Sequence, residues 1–394
     1  MHSYLSSYWL SGALLLAGLA HDCLASENQP PPAQGTLQSL QSLQSLQSLQ
    51  SLQSLQTAVS DGPYLSHQDA KTLKAQWVCE GKVIEQQQDV TKAVAPRCGY
   101  DKSLQVQNAV ASGWQFQSKR WAAISDIHGQ YDLMTRLLQA ANIVDANRHW
   151  QFGSNQLVIV GDVMDRGNQV TQALWFLYDL QQQAKRAGGA VHVLPGNHET
   201  MVVRGDLRYV HPDYQQVAEK LHTTLPALYG EHSVLGAWLR QLPLFVRINN
   251  TLFVHGGIST EFAAQPTDNQ ALQQAFQHSW GRSKTELALQ PLQQLLQGSA
   301  GPLWYRGYFS KDSPVTPSVL QQQLKRFGAD QIVVGHTSMD DVYSHHDGLV
   351  YSVDSSIKKG KNGAVLHFID GRYLRSGLDG QLTPVAPAPA STKD

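Results

Sequence analysis

Short apolar runs alternate with longer helical patterns through the middle of the chain. Trp121-Ala122-Ala123-Ile124, Leu157-Val158-Ile159-Val160, Val191-His192-Val193-Leu194, Leu252-Phe253-Val254 and Ile332-Val333-Val334 have the length and apolar character of strands. Tyr131 to Ala141 and Val170 to Arg186 carry helical spacing between them. The pattern predicts an α/β core from about Arg120 to Leu378. Each strand run leads directly into a polar residue: Asp126, Asp162, Asn197, His255 and His336 in turn. Loops at strand ends are where α/β folds place their chemistry.

The flanks break this pattern. Tyr8 to Ala20 is an apolar run ending near Cys23-Leu24-Ala25, with no Lys or Arg before it. It is shorter than the ~20 residues that span a bilayer and reads as an export signal. From Leu37 to Gln56 the triplet Leu-Gln-Ser repeats. A three-residue step turns a helical stripe by about 60° per repeat, so these leucines wind round the axis and leave no single apolar face. The repeat reads as a low-complexity spacer, with a docking helix as the other reading. Ala75 to Cys79 is strand-like, and Cys79 and Cys98 are the pair left after a cut near Ala25. In an oxidising compartment they predict one disulfide; two buried thiols are the alternative. The chain thus divides into a signal peptide (1–25), a linker (26–60), an extension packed on the core (61–120), the α/β core domain (121–380) and a Pro/Ala-rich disordered tail (381–394). Export implies a periplasmic or secreted protein.

A hydrophobic share of 42% is enough for a sizeable core, and a formal net charge of −1 offers no basic field for nucleic acid or an anionic membrane. Apart from the N-terminal run, no segment is long and apolar enough to cross a bilayer, so stable membrane insertion is not expected. Oligomeric state is not legible. The 16 histidines are many for 394 residues, and several fall inside the strand-end segments, which favours metal chemistry.

Those segments suit one reaction. A phosphate monoester resists attack because its oxygens are already negative. Two divalent ions about 3.5–4 Å apart neutralise that charge and supply hydroxide at neutral pH. Carboxylates and neutral imidazoles hold such ions. In Asp126-Ile127-His128-Gly129 the two donors stand one residue apart and can reach one ion. In Gly161-Asp162-Val163-Met164-Asp165-Arg166-Gly167, Asp162 is the candidate bridging carboxylate. Arg166 offers a planar fork for phosphate oxygens, and Asp165 can orient a histidine. A polar turn capping the helix that begins near Gln169 is the bland alternative. Gly196-Asn197-His198-Glu199 supplies a carbonyl ligand, Asn197, beside a candidate general acid, His198, whose pKa a neighbouring Asp165 would raise. Glu199 reads as favouring a helix N-terminus. A lone histidine after a strand is usually a core residue, but in this company His255 and His336, each beside glycine, read as ligands. Arg306, in Gly301-Pro302-Leu303-Trp304-Tyr305-Arg306-Gly307, is the candidate second phosphate cation, or else a surface arginine stacked on Trp304 or Tyr305.

These segments, with Gly205-Asp206-Leu207-Arg208-Tyr209-Val210, Pro302 to Arg306 and Val334-Gly335-His336-Thr337, resemble the calcineurin-like metallophosphoesterases, within the phosphoprotein phosphatase branch and closest to the Shewanella-like protein phosphatases. The resemblance covers roughly residues 61 to 378. It implies a central β-sandwich of mixed sheets flanked by helices, and two ions of manganese, iron or zinc. Asp126, His128 and Asp162 would hold the first ion; Asp162, Asn197, His255 and His336 the second. Arg166 and Arg306 would clamp the phosphate, His198 with Asp165 would protonate the leaving group, and a metal-bridging hydroxide would attack phosphorus directly. The Ser-Ala-Pro-Asn-Tyr segment of eukaryotic Ser/Thr phosphatases is replaced by Val350-Tyr351-Ser352-Val353-Asp354, so their regulators and Ser/Thr preference do not carry over. The resemblance leans to phosphotyrosine in a phosphoprotein or phosphopeptide. A small-molecule phosphatase or dinucleoside polyphosphate hydrolase is the alternative, and a non-catalytic binder would have lost a ligand or Arg166, none of which is lost. The segments His211 to Pro243 and Gln265 to Pro302 are long enough to form a peptide groove or a lid.

Overall fold

In the structure, a computed structural model, residues 58–106, 113–311 and 315–389 are described. They fall in one compact unit. The export signal and nearly all of the spacer lie outside the described residues.

Three sheets are present among the described residues. A small antiparallel meander comes first: β1 (Asp61–His67), β2 (Thr72–Cys79) and β3 (Lys82–Asp89). The strands β4 (Gln115–Phe116), β5 (Arg120–Ile124), β6 (Gln156–Ile159), β7 (Ala190–Val193), β8 (Phe245–Ile248) and β9 (Thr251–Val254) follow. After them come β10 (Gln331–Val334), β11 (Tyr343–His345), β12 (Val350–Ser352), β13 (Val365–Ile369), β14 (Arg372–Ser376) and β15 (Thr383–Pro384). They build two six-stranded sheets, ordered β11-β12-β10-β9-β8-β4 and β15-β14-β13-β5-β6-β7. Both are mixed: β5, β6 and β7 run parallel, as do β9, β10 and β12, while β13 is antiparallel to β5 and β8 to β9.

Residue parity explains why the sheets stack. Trp121 and Ala123 of β5, Val158 of β6, Val246 and Ile248 of β8, Phe253 of β9 and Val333 of β10 form one buried cluster shared by the two sheets. Trp121 meets Phe253 edge-on at 4.9 Å. The alternate residues of the same strands, such as Ile124, Leu157, Val193, Val254 and Ile332, join the larger cluster with the helices. Side chains buried on both faces give the unbroken apolar runs of the sequence, because a two-period alternation cannot show when neither face meets water. The result is the mixed β-sandwich flanked by helices that the resemblance implied.

Helix α1 (Tyr131–Ala140) and helix α2 (Val170–Arg186) match the predicted spans. The short α3 (Asn197–Val203) opens directly after β7. The meander lies against α2: Trp175 Nε1 donates to Pro63 O at 2.8 Å, and Thr171 Oγ1 donates to the buried Asp61 carboxylate at 2.7 Å. Cys79 and Cys98 are disulfide-bonded, with Cα atoms 5.5 Å apart. One expectation is corrected. Residues 381–389 are not a disordered tail: β15 pairs with β14, and the chain beyond it exchanges backbone hydrogen bonds with Ser344 through Ala386 O and Ala388 N. Proline tolerates this because an edge strand needs no donor on its outer side.

Candidate active site

The parallel strands deliver their C-terminal ends to one place. β5 leads to Asp126 and His128, β6 to Asp162, and β7 to Asn197; the other sheet brings His255 after β9 and His336 after β10. All six side chains are buried. Asp162 Oδ2 stands at the centre, 3.7 Å from His128 Nε2, 3.3 Å from His255 Nε2 and 3.9 Å from His198 Nε2. Two groups of donor atoms share it: one contains His128 and His198, the other His255 and His336. Asp126 Oδ2 lies 3.8 Å from His128 Nε2, and Asn197 Oδ1 lies 3.0 Å from His255 Nε2.

The backbone is bent to achieve this. Asp126, His128, Asp162, Asp165, Arg166 and His336 all adopt positive φ, between 47° and 71°. Each such residue costs roughly 1–3 kcal/mol and persists where the surroundings over-determine it. Two motif glycines leave room for the carboxylates. A Cβ on Gly196 would lie 2.1 Å from Asp162 Oδ1, and one on Gly335 would lie 2.6 Å from Asp126 Oδ1.

A further shell fixes the donors. His128 Nδ1 bonds Met164 O at 2.8 Å and His255 Nδ1 bonds Val160 O at 2.7 Å, leaving each Nε2 aimed at Asp162. Asp126 Oδ1 accepts from Ser125 Oγ at 2.7 Å and from the His336 backbone N–H at 2.9 Å, a bond that crosses from one sheet to the other. Glu199 was read from sequence as a helix-dipole residue only. Its carboxylate accepts four backbone N–H groups, from Gly196 (2.6 Å), Asp162 (3.1 Å), Val163 (2.8 Å) and Met164 (2.9 Å), and so ties α3 to the Asp162 turn. A carboxylate three residues after Gly196 signals a bond back to the N-cap N–H, one half of a capping box; the long-range part of its role has no local signal.

His198 Nδ1 sits 2.6 Å from Asp165 Oδ2. Burial opposes the charged imidazole, but Asp162 and Asp165 outweigh it and raise its pKa above the ordinary value. The polar turn does not cap α2, whose first flanking residue, Gln169, makes no side-chain cap bond. Arg166 is exposed, its guanidinium 5.0 Å from the Tyr209 ring centre. Tyr209, 42% exposed, also faces the His198 ring at 5.2 Å. Arg306 is tied to the second donor group: Nη1 donates to His336 O at 2.9 Å and to Thr337 Oγ1 at 3.2 Å.

The donor set fits a pair of divalent cations. Burial, then the Asp354 and Asp162 carboxylates, push the Asp126 pKa well above the usual range. Crowded carboxylates of this kind call for a cation. His336 Nε2 is buried with no hydrogen-bond partner among the described residues. Burial first, and then His255, lower that ring to about 2, which keeps its lone pair free. Carboxylates, neutral imidazoles and one amide oxygen are the ligands of manganese, iron and zinc.

The sequence pattern of the calcineurin-like phosphoesterases matches residues 119–339, spanning every one of these residues. The chain belongs to this family. A solved structure, the cold-active protein tyrosine phosphatase of a psychrophilic Shewanella species, is similar over 83% of this calcineurin-like chain and 99% of its own, with TM-score 0.79 and 36% identity. An uncharacterised protein of Schizosaccharomyces pombe is 30% identical over 243 residues, 60% of this chain and 72% of its own length. Shewanella-like protein phosphatase 2 of Arabidopsis thaliana is 41% identical over 92 residues, 23% of this chain and 24% of its own. The S. pombe and A. thaliana matches thus span part of each relative, whereas the Shewanella enzyme is matched almost end to end.

Proposed function

We propose that this protein is a two-metal phosphatase acting on phosphotyrosine in exported or extracellular phosphoproteins or phosphopeptides. The observation that carries the reading is the single carboxylate of Asp162 shared by two donor groups. When bound, the two ions neutralise the phosphate and supply an oxygen nucleophile at neutral pH. Asp126, His128 and Asp162 would hold the first; Asp162, Asn197, His255 and His336 would hold the second. Arg166 and Arg306 contact the phosphate oxygens and orient phosphorus for in-line displacement. His198, kept charged by Asp165, gives its Nε2 proton to the leaving oxygen.

The lean to tyrosine is supported by the tyrosine phosphatase of Shewanella at 36% identity and by Tyr209, an exposed ring beside His198 and Arg166 on which an aryl ester can stack. Export is supported by the apolar run from Tyr8 to Ala20 and by the Cys79–Cys98 disulfide. The test strips the purified protein with chelator, adds manganese, iron or zinc back singly and in pairs, and compares phosphotyrosine, phosphoserine and dinucleoside polyphosphate turnover. The expected order places phosphotyrosine first. Faster turnover of the nucleotide would move the substrate to the small-molecule class, and no turnover with any ion would end the phosphatase reading.

A further inference from the structure

A groove of about 750 Å³ opens beside the metal-ligand cluster. One wall is the segment after α3; the other comes from the long segment Gln265 to Pro302, through its helices Lys284–Ala288 and Pro291–Gln297. Two lining residues connect it to the ligands. Met201 Sδ lies 3.7 Å from Asn197 Nδ2, and the Trp304 ring meets that of His336 edge-on at 5.8 Å. The groove thus shares walls with the side chains packed behind Asn197 and His336.

The charges that line it are unbalanced. Arg204, Arg208 and Lys284 face a single acid, Asp206. Arg208 already holds both oxygens of Asp206, with Nε at 2.7 Å and Nη2 at 2.8 Å. Arg204 and Lys284 remain. Among the described residues, the half-buried Arg204 makes no side-chain hydrogen bond or ion pair. Burial lowers its pKa, opposed only by the Asp206 charge that Arg208 already neutralises. A half-buried guanidinium has lost part of its hydration without gaining a protein acceptor, and an anion in the groove would supply one. The chain as a whole carries a net charge of −1, so this excess is local.

We propose that the groove is a subsite for anionic side chains flanking the phosphorylated residue of a peptide substrate, either carboxylates or a second phosphoryl group, with Arg204 and Lys284 as the recognising cations. The proposal rests on the phosphatase reading above and adds the substrate's charge pattern to it. The test uses the full chain loaded with manganese and compares kcat/KM on p-nitrophenyl phosphate and on three phosphotyrosine peptides. The peptides are identical except for flanking alanines, flanking glutamates, or one flanking non-hydrolysable phosphonate residue. The glutamate and phosphonate peptides are expected to exceed the alanine peptide about three- to tenfold at low salt, with the margin shrinking as sodium chloride is added. In Arg204→Gln and Lys284→Glu, the ratio of acidic-peptide to p-nitrophenyl phosphate turnover is expected to fall toward that of the alanine peptide. If Arg204→Gln does not fold, the surface variant Lys284→Glu carries the test. Whichever anionic peptide leads identifies the natural group as carboxylate or phosphoryl. Equal turnover of all three peptides by the native chain overturns the groove while leaving the phosphatase reading intact. Failure on every substrate, p-nitrophenyl phosphate included, overturns the phosphatase reading itself.

Discussion

Glu199→Gln weakens the join between the Asp162 turn and the start of α3, which Glu199 shares with the His198 bonds to Asp162 and Asp165. Each carboxylate oxygen of Glu199 serves two backbone N–H groups: Oε2 those of Gly196 and Asp162, Oε1 those of Val163 and Met164. Glutamine keeps one oxygen and puts an NH2 in place of the other. In either orientation a donor then faces two buried donors. Leaving a buried donor unpaired costs about 1–3 kcal/mol, so the pair costs ~4 kcal/mol, a large part of the ~5–15 kcal/mol by which a folded domain is stable. Asp162 moves with its own N–H, and loss of a partner behind a metal ligand typically weakens metal affinity about 10- to 100-fold. The assay measures urea unfolding in chelator and manganese or zinc affinity by calorimetry at pH 7.5. The expected result is a midpoint shift equivalent to several kcal/mol together with weaker metal binding. A variant that unfolds like the native protein and binds metal equally well would show that Glu199 is a local cap and nothing more.

The remaining predictions concern the acid, the buried carboxylate and the fit of the turns. His198→Ala should slow phosphoserine turnover much more than aryl phosphate turnover, because a phenol of pKa ~10 leaves without a proton far more easily than an alkoxide; equal losses in kcat on both substrates would remove His198 from the acid role. Burial first, offset in part by hydrogen bonds from Tyr64 and Thr171, raises Asp61 to about 6, so in the folded state it keeps its proton where the unfolded chain has lost it. Its contribution is therefore most favourable below the ordinary value of 3.8 and declines as pH rises through about 6. The stability of the native chain relative to Asp61→Asn should fall by ~3 kcal/mol between pH 4 and 7, and a flat difference in urea melts across that range would count against it. Gly335→Ala, at a position with no positive φ, adds a Cβ 2.1 Å from Ser125 Oγ; overpacking of this kind costs about 1–3 kcal/mol, and loss of manganese-dependent turnover should exceed loss of thermal stability, as paired activity and melting measurements would show.

The ligands were legible because each motif packs donor, turn glycine and neighbouring strand into a few consecutive residues. Asp126, Asp162, Asn197, His255 and His336 are all announced by the apolar run before them. What the sequence hides is any role whose partner is distant. Glu199 has a visible local cap, but its bonds to Asp162, Val163 and Met164 join segments 35 to 37 positions apart. The cationic groove is hidden for the same reason, since Arg204 and Lys284 meet only after the chain has passed through another sheet. Tyr209 shows no helical or strand period and gains its meaning from His198 and Arg166 beside it. The last segment misled because its Pro/Ala composition resembles a tail, while its backbone pairing with β14 and Ser344 leaves little trace in side-chain type.

Donors for the ions come from both layers: Asp126, His128, Asp162 and Asn197 from one, His255 and His336 from the other. The second ion, with Asp162 and Asn197 on one side and His255 and His336 on the other, would therefore act as a rivet through the sandwich. Sliding the layers apart and releasing metal should then be a single cooperative event. A chelating dye that reports free cation during heating would trace the same curve as the near-ultraviolet circular dichroism of the packed aromatic rings, and the enzyme's working life at high temperature would lengthen with the concentration of ion in its surroundings.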